Sequence, residues 1–354
     1  MKENFTSARI FMGSLTNLAT RPFRRLVTEM GAEATLSEMV IANYAAKGGK
    51  QDRALMRREA HEKIWGVQIV GGNPSHLAKT AKQAEHLGAD FIDFNCACPH
   101  HSVVSHGGGA DLLRRPEDIE RLLTAIKDAV SLPVTLKIRK GFGETDNVVP
   151  QVVGIAEACG AAAVFIHART RFAQYRGPND WQLIEETAQT FRIPVIGCGD
   201  LAHGSMVLEK MKHSACAGFA LARGALIKPW IFKEIALGEP LDPSSEERLV
   251  ILQKLARYTL EAFGFDERGH KRARDFLHKQ LEWLARYVPT GALGRELPLQ
   301  EREGEWTPRD PLEDLMRQHD TASFDTLLHI AGFDDLLDPG WQPEPQETGE
   351  ENRA

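Results

Sequence analysis

Short apolar runs alternate with amphipathic stretches from residue 8 to about residue 235. The runs fall at 8–12, 34–37, 64–70, 91–94, 134–138, 162–167, 194–197 and 218–221. They are nearly continuous in apolar character, the pattern of parallel strands covered on both faces. Between them, residues 75–87, 116–130, 149–159 and 181–190 place apolar side chains at a helical period, which predicts helices. Eight such strands alternating with helices predict a closed parallel barrel, the α/β fold of TIM (β/α)8 type, over residues 1–240. No Gly-x-Gly-x-x-Gly follows the first run, which argues against an open doubly wound sheet.

Beyond residue 240 the pattern changes. Leu241-Asp242-Pro243-Ser244-Ser245-Glu246-Glu247 combines a linker with a helix start, a serine N-cap followed by acids in the first turn. Helical periodicity over 248–263, 271–287 and 324–331 predicts a small all-helical domain at 241–338. Residues 290–309, rich in Gly, Pro and charge, read as an exposed insertion, and the Pro/Glu-rich tail 339–354 as disordered.

The candidate chemistry sits at the C-terminal ends of the barrel runs, where barrels of this type carry their active sites. The fourth run leads into Asn95-Cys96-Ala97-Cys98-Pro99, a thiol-bearing segment stopped by proline. Period-two alternation places Cys96 and Cys98 on one face, so spacing does not choose between them. Gln68 ends the third run, Lys137 and Arg139 the fifth, and His167 and Arg169 the sixth. The glycine-bearing turns Gly197-Cys198-Gly199-Asp200 and Ala222-Arg223-Gly224 follow the last two, where barrels commonly bind phosphate. A lysine directly after Val134-Thr135-Leu136 is costly to bury without purpose. His100, His101 and His106 near the two cysteines meet no standard zinc spacing, so no metal is expected.

Composition narrows the setting. The formal net charge of −6 removes a global nucleic-acid signature, yet Lys271-Arg272-Ala273-Arg274 opens a basic helical stretch that runs to Arg286. Five cysteines at irregular spacing do not form a disulfide framework, no run reaches the ~18 apolar residues of a membrane span, and the first residues lack a signal-peptide core. These features predict a reduced, cytoplasmic protein with no membrane association and no obligate protein partner evident.

The order and spacing of these motifs resemble the dihydrouridine synthase family over residues 8 to about 335. The resemblance is carried by Asn95–Pro99, by Gly107-Gly108-Gly109-Ala110-Asp111-Leu112-Leu113, and by His167-Ala168-Arg169-Thr170 with Tyr175-Arg176-Gly177-Pro178-Asn179-Asp180-Trp181. It implies an FMN-binding barrel reduced by NADPH and a helical domain gripping tRNA, whose uridine receives a hydride at C6 and a proton at C5. It selects Cys98, with the proline after it, as the general acid. Met12, Gly13, Gln68, Lys137, His167, Gly199, Asp200, Ala222 and Arg223 are then expected at FMN. Asn95, Arg139, Arg169, Lys271, Arg272 and Arg274 are expected at RNA. The chain departs from the family pattern at Phe11, His101-Ser102, Cys198 and Ala222. Two alternatives stay open: a barrel reducing a free pyrimidine, which would leave the helical domain without an evident task, and an RNA-binding protein that has lost flavin chemistry, which Cys198 and Ala222 motivate.

Overall fold

The computed structural model describes residues 5–289 and 306–337. Nine parallel strands form the sheet: β1 (Ile10–Met12), β2 (Ala34–Leu36), β3 (Val40–Ile41), β4 (Ile64–Val70), β5 (Phe91–Cys96), β6 (Val134–Arg139), β7 (Ala163–His167), β8 (Val195–Cys198) and β9 (Gly218–Leu221). β1 pairs with both β2 and β9, and β2 with β4, so the sheet closes on itself as an eight-position barrel. Every predicted run becomes a strand. The ninth strand, β3, is not separable in the sequence. It resumes the second barrel position after Ser37-Glu38-Met39, pairing Val40 with Ile69 at the upper end of β4. Ser37 causes the interruption: its hydroxyl accepts from Gln68 N at 3.1 Å and donates to the Glu38 carbonyl at 2.8 Å.

Strand alternation divides the barrel interior into two layers. The lower layer is apolar, with Phe11, Leu36, Ile64, Phe91, Phe165 and Ile196 in one cluster. Phe11 meets Phe165 edge-on at 5.3 Å, and Phe5 closes the bottom against Phe91 at 4.7 Å. Burying each ring contributes roughly 1.5–3 kcal/mol. The upper inward positions are polar: Gln68, Asp93, Asn95, Thr135, Lys137, Arg139 and His167, all but Lys137 buried. The barrel is thus filled below and chemically equipped above. Outward residues such as Trp65, Ile92, Phe94, Leu136 and Ile166 pack beneath the helices.

Of the C-terminal helices, Ser245–Phe263 packs on the barrel helix Arg21–Glu29 and Glu267–Leu284 on the short helix Arg223–Ile227. Pro311–Met316 and Thr321–Ile330 pack on these two, and together they extend the barrel's hydrophobic core. Ser244 and Glu247 form a full capping box at the start of the first, as its serine and acids predict. Arg25 stacks over Tyr258 at 3.7 Å and pairs with Glu261 at 2.5 Å. Gln280 Nε2 donates to the Leu18 carbonyl at 3.1 Å. The expected insertion lies outside the described residues except for 306–309, and the tail from 339 lies wholly outside. Among the described residues, no helix is long and apolar enough to cross a membrane.

A buried ion pair ties the barrel helix Arg21–Glu29 to the segment that leads into β4. Arg24, 1% exposed, reaches Glu62 at 2.7 Å and the Arg57 carbonyl at 2.7 Å. Glu62 also accepts from Glu59 N at 2.6 Å and from the Thr35 hydroxyl.

Candidate active site

The cysteine loop is shaped by Asn95. Its Oδ1 accepts from Ala97 N at 2.9 Å and Cys98 N at 2.8 Å, which ends β5 and breaks strand alternation. Cys96 therefore packs in the outer layer at 0% exposure, while Cys98 stands past the strand end, half-buried. The expectation that both thiols share a face fails because the strand stops between them. Beyond the thiol, Ala110 N donates to the Cys98 carbonyl at 3.0 Å. This approach needs Gly109, at φ +58°, because a Cβ there would lie 2.7 Å from that carbonyl oxygen. Burial pushes the Cys98 thiol up, against the lowering influence of the His100 N–H and Arg139, so it holds its proton at neutral pH.

Strand register gathers the cations. Asn95 lies opposite Lys137, and Arg139 opposite His167. Arg139 Nε donates to the Ala97 carbonyl at 2.8 Å and Nη1 to Gln174 O at 2.8 Å, tying the cysteine loop to the loop after β7. All the donor nitrogens of Arg169 have protein partners: Arg176 O, Gly177 O, His167 and Asp200. Arg223 pairs with the same Asp200 at 3.1 Å. Tyr175, which the sequence reading left without a role, lies over Arg223 at 4.4 Å and Arg139 at 5.4 Å and stacks on His167 at 6.2 Å. Its placement beside the His-Ala-Arg motif was the available signal.

His167 is held neutral, its pKa pushed well below the usual range by burial and then by Arg139, Lys137, Arg169 and Arg223. An arginine can only donate, so the 3.3 Å contact from Arg169 Nη1 makes Nε2 the acceptor and leaves the proton on Nδ1. Four cations thus converge where, among the described residues, Asp200 is the ion-paired carboxylate. Such buried surplus positive charge suits a phosphate. Gly199, at φ +113°, gives room, since a Cβ there would lie 2.8 Å from both His167 and Asn179. Asn179 Oδ1 is buried without a hydrogen-bond partner, an acceptor available to a hydroxyl such as those of a ribityl chain. The residues present fit FMN.

Other expected residues disperse. The Met12 side chain is buried in the outer layer, while Gly13 N joins β1 to the Leu221 carbonyl at 2.7 Å and Ala222 precedes the short helix Arg223–Ile227. On helix Glu267–Leu284, Lys271 is exposed and Arg274 turns to Asp325 and Asp334. Arg272 alone of the three lines a cleft of about 490 Å³ between the helix and the barrel, together with Arg21, Arg57 and Lys279, to which the sequence assigns no individual role. Glu38 lines it too, its carboxyl pushed up by burial.

A family model described as dihydrouridine synthase (Dus) matches residues 14–292. The chain belongs to the dihydrouridine synthase family. Similar members of this dihydrouridine synthase family include the Homo sapiens "tRNA-dihydrouridine(47) synthase [NAD(P)(+)]-like" protein, 35% identical over 320 residues, 89% of this chain and 49% of the human one. The "tRNA-dihydrouridine(47) synthase [NAD(P)(+)]" of Cryptococcus neoformans is 35% identical over 328 residues, 86% of this chain and 45% of that one. The chain spans about half the length of these dihydrouridine synthase relatives. Histamine dehydrogenase from Rhizobium sp. 4-9 superposes with a TM-score of 0.53 at 12% identity, over 71% of this chain and 49% of its own, a likeness of fold.

Proposed function

We propose that the chain is a cytoplasmic, FMN-dependent tRNA-dihydrouridine synthase that uses NADPH to reduce the C5–C6 bond of uridines in tRNA. The observation that carries this reading is a half-buried, protonated thiol pinned at the mouth of a barrel beside a phosphate-sized surplus of positive charge.

Lys137, His167, Asp200 and Arg223, with the backbone at Gly13, Gly199 and Ala222, would hold FMN, and Gln68 would meet its ring edge. When bound, FMN supplies the hydride for C6. Cys98 Sγ holds the proton that goes to C5, close to where the base must sit. Asn95, its Nδ2 given to Gln68 and Met39 and its Oδ1 to the loop, places that thiol through the loop backbone rather than meeting the base itself. Arg139 and Arg169 brace the surrounding loops. The target base must leave its stack to enter the mouth, at a cost of a few kcal/mol. The cleft lined by Arg21, Arg57, Arg272 and Lys279 would receive the phosphate backbone of the same RNA.

The deciding experiment is anaerobic. The purified protein should carry flavin released as FMN, bleach with NADPH, and regain its yellow colour on addition of unmodified tRNA, with dihydrouridine found by mass spectrometry. Absence of flavin, or re-oxidation by free uridine in preference to tRNA, would overturn the reading. Two variants extend the test. Arg223→Gln removes a charge-assisted phosphate contact and should weaken FMN retention about 10- to 100-fold, read by equilibrium dialysis. Arg272→Glu with Lys279→Glu should weaken tRNA binding at least about tenfold and lower the salt slope by about two, leaving NADPH oxidation intact. Unchanged affinity would remove the cleft from the RNA path.

A further inference from the structure

Four buried polar side chains connect the centre of the barrel to the cysteine loop without a gap. Thr135 Oγ1 donates to Asp93 Oδ1 at 2.7 Å, and Gln68 Nε2 donates to Asp93 Oδ2 at 2.7 Å. Asn95 Nδ2 donates to Gln68 Oε1 at 2.7 Å, and Asn95 Oδ1 accepts from Ala97 N and Cys98 N. None of the four is more than 5% exposed.

The polarity of the chain is forced from the loop inward. Backbone N–H groups only donate, so Asn95 must turn Oδ1 to the loop and Nδ2 to Gln68. Gln68 must answer with Oε1, which turns its Nε2 to residue 93, and residue 93 must accept. Two amides that could each sit in either of two orientations are thereby set in one, and the acceptor at the far end closes the series. Asp93 does not touch the loop. It lies two residues before Asn95 on the same inward face of β5.

We propose that Asp93 is a positioning residue for Cys98, acting through Gln68 and Asn95 to hold the thiol at the substrate, with Thr135 anchoring it from below. The proposal rests on Cys98 as the proton donor. It gives the buried carboxyl a task that its distance from the mouth hides, and adds to Gln68 a task besides any contact with FMN. A chain with a mismatched link releases the Asn95 amide, and the Ala97 and Cys98 N–H groups then lose the acceptor that sets the loop.

The test removes and then restores the acceptor at residue 93 in the flavin-loaded full-length protein. Asp93→Ala deletes the acceptor and leaves Gln68 Nε2 unpaired. Asp93→Asn keeps one: its Oδ1 accepts from Gln68 Nε2 while its Nδ2 donates to the Thr135 hydroxyl, so every link stays matched. Cys98 is read by its rate of alkylation by iodoacetamide, with Cys159, also half-buried but remote from the chain, as internal control. The RNA step is read by re-oxidation of the reduced protein with tRNA. Asp93→Ala should raise alkylation at Cys98 about fivefold or more with Cys159 unchanged, and slow the RNA step about tenfold. Asp93→Asn should keep both within about threefold of the parent. An Asp93→Asn variant no better than Asp93→Ala, or Cys98 and Cys159 loosening together, overturns the proposal, as does an unaffected Asp93→Ala. If Asp93→Ala does not fold, Asn95→Ala deletes the last link and must give the same selective rise at Cys98; no rise there overturns it equally. A parent that reduces no RNA would sink the functional reading, while the alkylation contrast would still decide the positioning.

Discussion

Cys98→Ala is expected to retain FMN and its reduction by NADPH while nearly abolishing the reduction of RNA. A positioned acid typically contributes about 10²- to 10⁴-fold, and re-oxidation by tRNA should fall by that range. Stopped-flow separation of the two half-reactions is the measurement. Parent-like re-oxidation would place the proton donor elsewhere. Cys96→Ala is the matched control, because Cys96 lies fully buried in the outer layer with its thiol pushed well up by burial, and should change neither half-reaction by a comparable factor. The same acid predicts a pH profile. An acid works while it holds its proton, so activity is present below its pKa and lost as pH rises through it. Burial moves Cys98 above the ordinary thiol value of about 8.5, so the RNA step should stay level through neutral pH and decline only in the alkaline range. A decline starting near neutrality would contradict the environment described for this thiol.

Arg24→Met is expected to cost about 3–5 kcal/mol of stability, the loss seen when one member of a buried pair is removed and the other keeps its charge. Glu62, with a side chain 0% exposed, would then be left with the Glu59 N–H and the Thr35 hydroxyl as partners. The Arg57 carbonyl would lose its donor as well. Urea unfolding should show a lower midpoint with an unchanged slope. Adding Glu62→Gln, which removes the orphaned charge, should recover more than half of the loss. A cost below about 1 kcal/mol would mean that water enters to solvate the carboxylate and that the site is less closed than its geometry indicates.

The barrel was legible because its strands are buried on both faces and read as apolar runs. Their inward polar residues were harder to see: Asp93 sits between Ile92 and Phe94 and passes for a blemish in a hydrophobic segment until alternation puts it in line with Asn95. The thiol pair shows the complementary limit. Alternation was extended past the point where Asn95 captures two backbone N–H groups, and a side chain ending a strand is not a feature of spacing. The arginines were recognisable as functional types but not by partner. Arg139 is braced by a carbonyl 42 residues away, and Arg274 by a carboxylate 60 residues away, pairings that only the folded chain creates. Lys279, inside the basic stretch, and Arg21 were not brought together because the cleft they share is built from segments far apart in sequence.

The interruption between β2 and β3 has a mechanical side. Met39 turns its sulfur to the Asn95 amide at 3.6 Å, while its neighbour Glu38 lines the cationic cleft against helices Ser245–Phe263 and Glu267–Leu284. Adjacent residues on one short stretch of backbone therefore face two different compartments. A change that shifts Glu38 in the outer furrow must therefore be absorbed within one peptide unit of the side chain that touches the Asn95 amide.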